Sequence, residues 1–214
     1  MSKAGSKNAS QETRATIIKT AKKLFMELGY RAVSTRQIAD ACGLTQPALY
    51  HHFSDKESLY VEVLQSVCIE TQHALERIIK REQHIRDRLV QIVYFMMVNH
   101  PDDLGTMFHD IRHELSAPSQ AILLQCWQEA YLFPVIRVFE AGQQSGGLRD
   151  PRQFGTDAAM SARLLMGLIS QSLQRPPVPG QSQGLGPSVT KGLEQQAGTL
   201  VDILLYGLAS PDDR

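Results

Sequence analysis

The chain has 214 residues, with 22 Lys and Arg against 22 Asp and Glu, and its formal net charge is zero. That balance excludes a uniformly basic nucleic-acid coat protein and an acidic disordered tail, while 43% hydrophobic and 21% charged residues suit a globular chain long enough to bury a core. The first sixteen residues are polar, and no apolar run reaches the roughly 20 residues of a membrane-spanning helix, so a cytoplasmic location with no signal peptide and no membrane partner is expected.

The neutrality is uneven. Residues 1–56 carry nine basic and four acidic side chains, a net of +5, and the remainder carries −5. A basic end on an acidic body fits an end that meets a polyanion. Chance basicity of a short segment is the bland alternative, so the residue pattern must decide.

Residues 1–10 are rich in Ser, Lys, Asn and Gly and are expected to form a disordered arm. From Gln11 the pattern turns helical. Ile17, Ile18, Ala21, Leu24, Phe25 and Leu28 share one face of a 3.6-residue helix that ends at Gly29. Ser34-x-x-Gln37 has the form of a capping box and opens a short second helix ending at Gly43. Thr45 can cap a third helix, with Pro47 in its first turn, and Phe53 closes it. Ser54-x-x-Glu57 reads as another capping box, opening a fourth helix to about Glu82.

Further helical stretches follow over Arg86–Asn99, Asp102–Leu115 and Ser119–Gln143, the last with a kink expected at Pro134. Ser145–Pro151 reads as a turn, and Phe154–Gln174 as a helix rich in small residues. Residues 175–188 read as a Pro/Gly loop, and Val189–Leu208 as a last helix. No strand alternation occurs. The expectation is an all-α chain of about nine helices, divided into a head over 11–56 and a body over 57–214. Cys42, Cys68 and Cys126 cannot all pair and read as reduced thiols. No CxxC, HExxH, Walker or GxGxxG motif occurs, so no cofactor and no enzymatic activity are expected.

The stretch Thr35–Ser54 has the spacing of a helix-turn-helix. Ala39 is the small residue where two helices touch, Gly43 sits in the turn, and Leu49 anchors the second helix. That helix would enter a major groove with its N-terminal residues at base edges. Thr35 and Arg36 lie at a helix N-terminus, which favours phosphate. Thr45, Gln46, Pro47 and Ala48 open the reading helix; Gln pairs bidentately with adenine, and Ala or Thr methyls meet a thymine methyl. Tyr50, His51, His52 and Lys56 can donate to phosphate oxygens. The plain alternative is a helical hairpin with Gly43 as its C-cap.

The run IIKTAKKLFMELGYRAVSTRQIADACGL followed by TQPALYHHFSDKESLY resembles the DNA-binding domain of the TetR family of bacterial transcriptional regulators. The resemblance is carried by Gly29-Tyr30, by Thr35, Ile38 and Ala39, and by Leu49, Tyr50, His52, Phe53 and Lys56. It implies a homodimer with a three-helix head and a larger helical body. The last two helices, about 154–174 and 189–208, would form the dimer interface. It also implies a small-molecule effector bound in the body. An apolar, sulfur-rich set is the candidate lining: Phe95, Met96, Met97, His100, Met107, Phe108, Ile111, Trp127, Tyr131, Met160 and Leu164. Most of these would serve equally as core.

The expected function is a dimeric repressor released from a palindromic double-stranded DNA operator when a largely apolar molecule binds. His109 and His113, four apart on one helix, have metal-chelating spacing and offer a metal-responsive alternative, though a solvated helix face explains them as well. An apolar-ligand carrier or enzyme with a vestigial head, and an architectural DNA-binding protein without effector, are the other readings.

Overall fold

The computed structural model describes residues 3–99, 110–173 and 187–207, with the side chains of 3–8, 154 and 187–190 left aside. All regular structure among the described residues is helical. In chain order the helices are α1 (Lys3–Ala32), α2 (Thr35–Ala41), α3 (Gln46–Tyr50), α4 (Lys56–Arg81) and α5 (Ile85–Asn99). Then follow α6 (Ala117–Trp127), a π-helical turn (Gln128–Leu132), α7 (Phe133–Gln144), the single-turn α8 (Pro151–Phe154), α9 (Ala158–Leu173) and α10 (Pro187–Tyr206). Residues 110–114 are also helical.

Two compact units emerge, one of Met1–Glu70 with Asp103–Trp127 and one of Thr71–Asp102 with Gln128–Arg214. In the first, α1 buries Ile17, Ala21 and Phe25 on the expected face, while Leu28 at its end is exposed. These meet Val33, Ile38, Ala39, Leu49 and Phe53 from the helix-turn-helix and Leu59, Tyr60, Val63 and Leu64 from α4. Each fully buried large side chain contributes about 1.5–3 kcal/mol relative to exposure. Leu115 and Leu123 complete this core, and Ile111 packs against it. The head therefore does not stop at residue 56 as the spacing suggested. Its core runs on into α4 and recruits a segment some fifty residues later.

Three other local expectations are revised. Residues 3–10 continue α1 rather than forming a disordered arm; extending an existing helix adds one hydrogen bond per residue fixed and avoids the nucleation cost. The cap of α4 is Asp55, not Ser54: its carboxylate accepts from Ser58 N–H at 2.7 Å while Ser58 Oγ accepts from Asp55 N–H at 3.2 Å. Glu57, the anticipated box partner, instead accepts from the backbone N–H of Ser116 at 2.9 Å. The break in the long helix is the π turn just ahead of Pro134, which relieves the missing N–H and ring clash of a mid-helix proline.

In the second unit, α5 buries Leu89, Ile92, Val93, Met96 and Met97. Helix α10 packs along α5, and α9 packs on α7. Arg86 on α5 donates from Nε and a terminal nitrogen to both carboxylate oxygens of Asp202 on α10, at 2.7 and 2.9 Å. Thr71 Oγ1 donates to the Tyr131 hydroxyl at 3.2 Å, both side chains being buried. The anticipated 175–188 loop lies outside the described residues except for Pro187 and Ser188, which begin α10. No described helix is long and apolar enough to cross a membrane.

Candidate nucleic-acid interface

The reading helix is positioned by local chemistry. Ser34 caps α2: its hydroxyl accepts from Gln37 N–H at 3.2 Å, and Gln37 Oε1 accepts from Ser34 N–H at 2.7 Å. Helix α2 ends in a Schellman turn. Leu44 N–H reaches the Ala39 carbonyl at 2.9 Å and Gly43 N–H the Asp40 carbonyl at 3.1 Å. Gly43 has φ 68°, a left-handed conformation that a side chain would strain. Thr45 then caps α3 by accepting from Ala48 N–H at 3.3 Å, and Leu49 is fully buried beneath it. The N-terminal turn of α3 is thus held on a rigid support.

Of the residues expected to face DNA, Arg36, Thr45, Pro47, Tyr50 and His51 are exposed, and Gln46, Ala48, His52 and Lys56 are half-buried. Thr35 is different. It is 8% exposed, and its hydroxyl accepts from Gln46 Nε2 at 3.0 Å and lies 3.1 Å from the Tyr50 hydroxyl. The side chain of Thr35, at the helix N-terminus expected to favour phosphate, is turned inward together with Ile38, Ala39 and Cys42.

Behind this face lies an aromatic and charged cluster. Tyr30 packs against Phe25 and Tyr60, with ring centroids 6.0 and 4.7 Å away. Lys56 Nζ sits 4.2 Å above the Tyr30 ring. Burial lowers the pKa of this lysine, and Glu114 and Asp110 partly offset the effect. Burial likewise raises the Tyr30 hydroxyl, aided by Glu57 and Asp55. Asp110, 6% exposed, accepts from Tyr30 N–H at 3.0 Å, where α1 breaks at Gly29. Arg31 pairs with Glu114, its Nε donating at 2.7 Å. The sequence reading missed Asp110; the one signal was an acid directly preceding the apolar Ile111.

The residues of the candidate effector lining are divided between the two units. Met96 and Tyr131 are buried and Phe95 half-buried in the second unit. Ile111 belongs to the head core, and Trp127 is half-buried in the same unit as the head. His100, Met107, Phe108 and His109 lie outside the described residues. Met160 and Leu164 are 46% and 51% exposed on α9. Leu164 borders an open cleft of about 400 Å³, with Phe139, Leu148, Thr156 and Leu204 among its walls. His113 is exposed, and among the described residues no three His, Cys, Asp or Glu side chains could hold a metal ion. The three cysteines are unpaired thiols, and burial pushes Cys68 up to about 12.

A three-helix head with a supported reading helix, joined to a helical body, defines a helix-turn-helix DNA-binding protein. The family profile of bacterial regulatory proteins of the tetR family matches residues 17–63. The HTH-type transcriptional repressor KstR2 of Rhodococcus jostii is 27% identical over 92% of each chain. The HTH-type transcriptional activator FasR of Mycolicibacterium smegmatis is 39% identical over 61 residues, and that match spans 28% of each chain. Among solved structures, a TetR/AcrR-family regulator from Thermobifida fusca aligns over 93% of this chain and all of its own, at TM-score 0.67 and 24% identity. The regulator FadR from Bacillus subtilis, solved in complex with stearoyl-CoA, aligns over 91% of this chain and 99% of its own, at TM-score 0.69 and 16% identity. The head thus carries the tetR-family profile, and the chain is similar to transcriptional regulators along most of its length. It is a DNA-binding regulator and not an enzyme.

Proposed function

We propose that the chain is a dimeric, effector-responsive repressor that reads a palindromic operator in the cytoplasm. The observation that carries this reading is the head itself. Arg36, Thr45, Pro47 and His51 stand exposed on elements whose other face is a fully buried core, so base and phosphate contacts come from a preorganised surface. The full-length likeness to a repressor supports the direction of regulation. Two copies joined through α9 and α10 would present two equivalent reading helices, and the exposed apolar Met160, Leu164 and Tyr206 on those helices supply surface for the contact. The neighbour holding stearoyl-CoA and the apolar body around Met96, Met97 and Tyr131 favour a long-chain acyl thioester as effector. Its binding would stabilise a dimer conformation with lower operator affinity.

The test is selection of duplexes from a random library by the full-length protein, followed by affinity measurements across salt concentrations. A near-palindrome should be enriched. Its affinity should fall steeply with salt, and Arg36→Ala should reduce the log–log slope by about 1 for one lost phosphate contact. Stearoyl-CoA should weaken binding to the selected duplex. Equal affinity for selected and random duplexes would favour an architectural DNA-binding protein instead.

A further inference from the structure

The open cleft in the second unit is lined from α7, the turn that follows it, the start of α9 and the end of α10. Local chemistry sets its walls. The chain reverses at Gly146, which has φ 73°, and Leu148 N–H reaches the Gly142 carbonyl at 3.1 Å. Leu148 then lies so close over Gly142 that a Cβ added there would meet its Cδ1 at 2.9 Å. Gln143 Nε2 donates to the Thr156 carbonyl at 3.3 Å and so ties α7 to the residues that open α9. The cleft is therefore preformed, and its volume of about 400 Å³ falls within the roughly 300–1,000 Å³ of small-ligand sites.

Phe139, Leu148, Leu164 and Leu204 give the cleft apolar walls, and Arg149 is the sole charged side chain among the described residues that line it. The two acids nearest to Arg149 in sequence are engaged at helix starts. Asp150 accepts from Arg152 N–H at 2.9 Å and Asp157 from Met160 N–H at 2.6 Å, and neither lines the cleft. A cation beside aliphatic walls, with no acid among them, selects a molecule that is anionic at one end and hydrocarbon along the rest. We propose that the cleft binds a small aliphatic carboxylate, with its alkyl chain against Leu148, Leu164 and Leu204 and its carboxylate paired with Arg149. The site shares no residue with the effector region around Met96, Met97 and Tyr131, and it stands whether or not the chain reads an operator.

The experiment is isothermal titration calorimetry of the full-length protein with octanoate and with 1-octanol, the same chain without the charge. Wild type should bind one octanoate per chain with Kd at or below about 1 mM and bind octanol at least about 5-fold more weakly. Arg149→Met keeps an apolar stem and should weaken octanoate by about 5-fold or more, the size of a partly exposed charge-assisted contact, while leaving octanol unchanged. Arg149→Lys should retain octanoate binding within about 3-fold, because a point charge survives. Leu164→Asp places an acid at the rim and should weaken octanoate more than octanol. Both positions are exposed, so matching melting curves are expected for all three variants.

Equal affinity of wild type for octanoate and octanol would overturn the proposal, and so would the absence of saturable octanoate binding. Octanoate binding insensitive to Arg149→Met and Leu164→Asp would place the molecule elsewhere in the body and overturn it as well. Leu164 and Tyr206 also belong to the surface proposed for the contact between copies. The titration is therefore repeated at a protein concentration where dimers predominate. Loss of octanoate binding there would show that a second copy fills the cleft, and the carboxylate assignment would fall.

Discussion

Replacing Asp110 by Ala removes the acceptor that holds the turn between α1 and α2. Its carboxylate takes the Tyr30 N–H at 3.0 Å, and the side chain is almost wholly buried. A hydrogen bond to a charged group is worth about 1.5–3 kcal/mol, and the orphaned N–H forfeits its partner without gaining full hydration. Asp110→Ala should therefore destabilise the protein by about 1.5–3 kcal/mol, read as a lower denaturant midpoint at unchanged slope. Asp110→Asn keeps an acceptor oxygen in place and should cost less than about 1 kcal/mol. Because the Tyr30 ring packs on Phe25 and Tyr60, the Ala variant should also lose near-ultraviolet circular dichroism from the tyrosines before global unfolding. A midpoint within about 0.5 kcal/mol of wild type for Asp110→Ala would refute the argument. Equal losses for the Asn and Ala variants would show that the charge, not the acceptor, is what matters.

Gly29→Ala should cost about 1–3 kcal/mol through backbone strain alone, since Gly29 has φ 79° and ψ 163° while an added Cβ meets nothing nearer than Asp110 Oδ2 at 3.9 Å. Thermal melting checks it, and a wild-type melting temperature would mean the turn relaxes freely. The Asp202 carboxyl is held below its usual range by its bonds to Arg86. A carboxyl lowered by folding stabilises at pH above its unfolded value, near 3.8, and that contribution disappears as pH falls through the folded value. Asp202→Asn should therefore flatten the fall of stability below about pH 4. It should cost less than about 1 kcal/mol at neutral pH, because both partners are 42% exposed.

The parts of the fold fixed by neighbouring residues were legible in the sequence. Ser34 with Gln37, Thr45 ahead of Pro47 and Gly43 after α2 announce themselves because caps and left-handed turns are decided within four or five residues. Asp55 could not be told from Ser54 on that basis. The choice depends on Glu57 leaving the cap for Ser116, a partner 59 residues away. The inward turn of Thr35 was readable in principle, since Thr35, Ile38, Ala39 and Cys42 fall at i, i+3, i+4 and i+7. A polar residue at a helix start nevertheless reads first as a phosphate ligand. Apolar residues in helices do not reveal which of several cores they enter: Ile111 packs against the head core and Met160 lies at the surface.

The head core is discontinuous along the chain: Ile111, Leu115 and Leu123 pack against residues that precede position 65. The DNA-reading part is therefore not a cassette that can be cut out at the end of the helix-turn-helix. A fragment ending at Glu70 would lack Ile111, Leu115 and Leu123, and one ending at Lys56 would also lose Leu59, Tyr60, Val63 and Leu64 from the same core. A hybrid regulator made by transplanting this head onto another sensor would need three crossovers and would have to carry residues 110–127 along with the N-terminal seventy. The same constraint applies to recombination in nature: exchange of the N-terminal stretch alone brings in a reading helix but separates it from part of its own hydrophobic support.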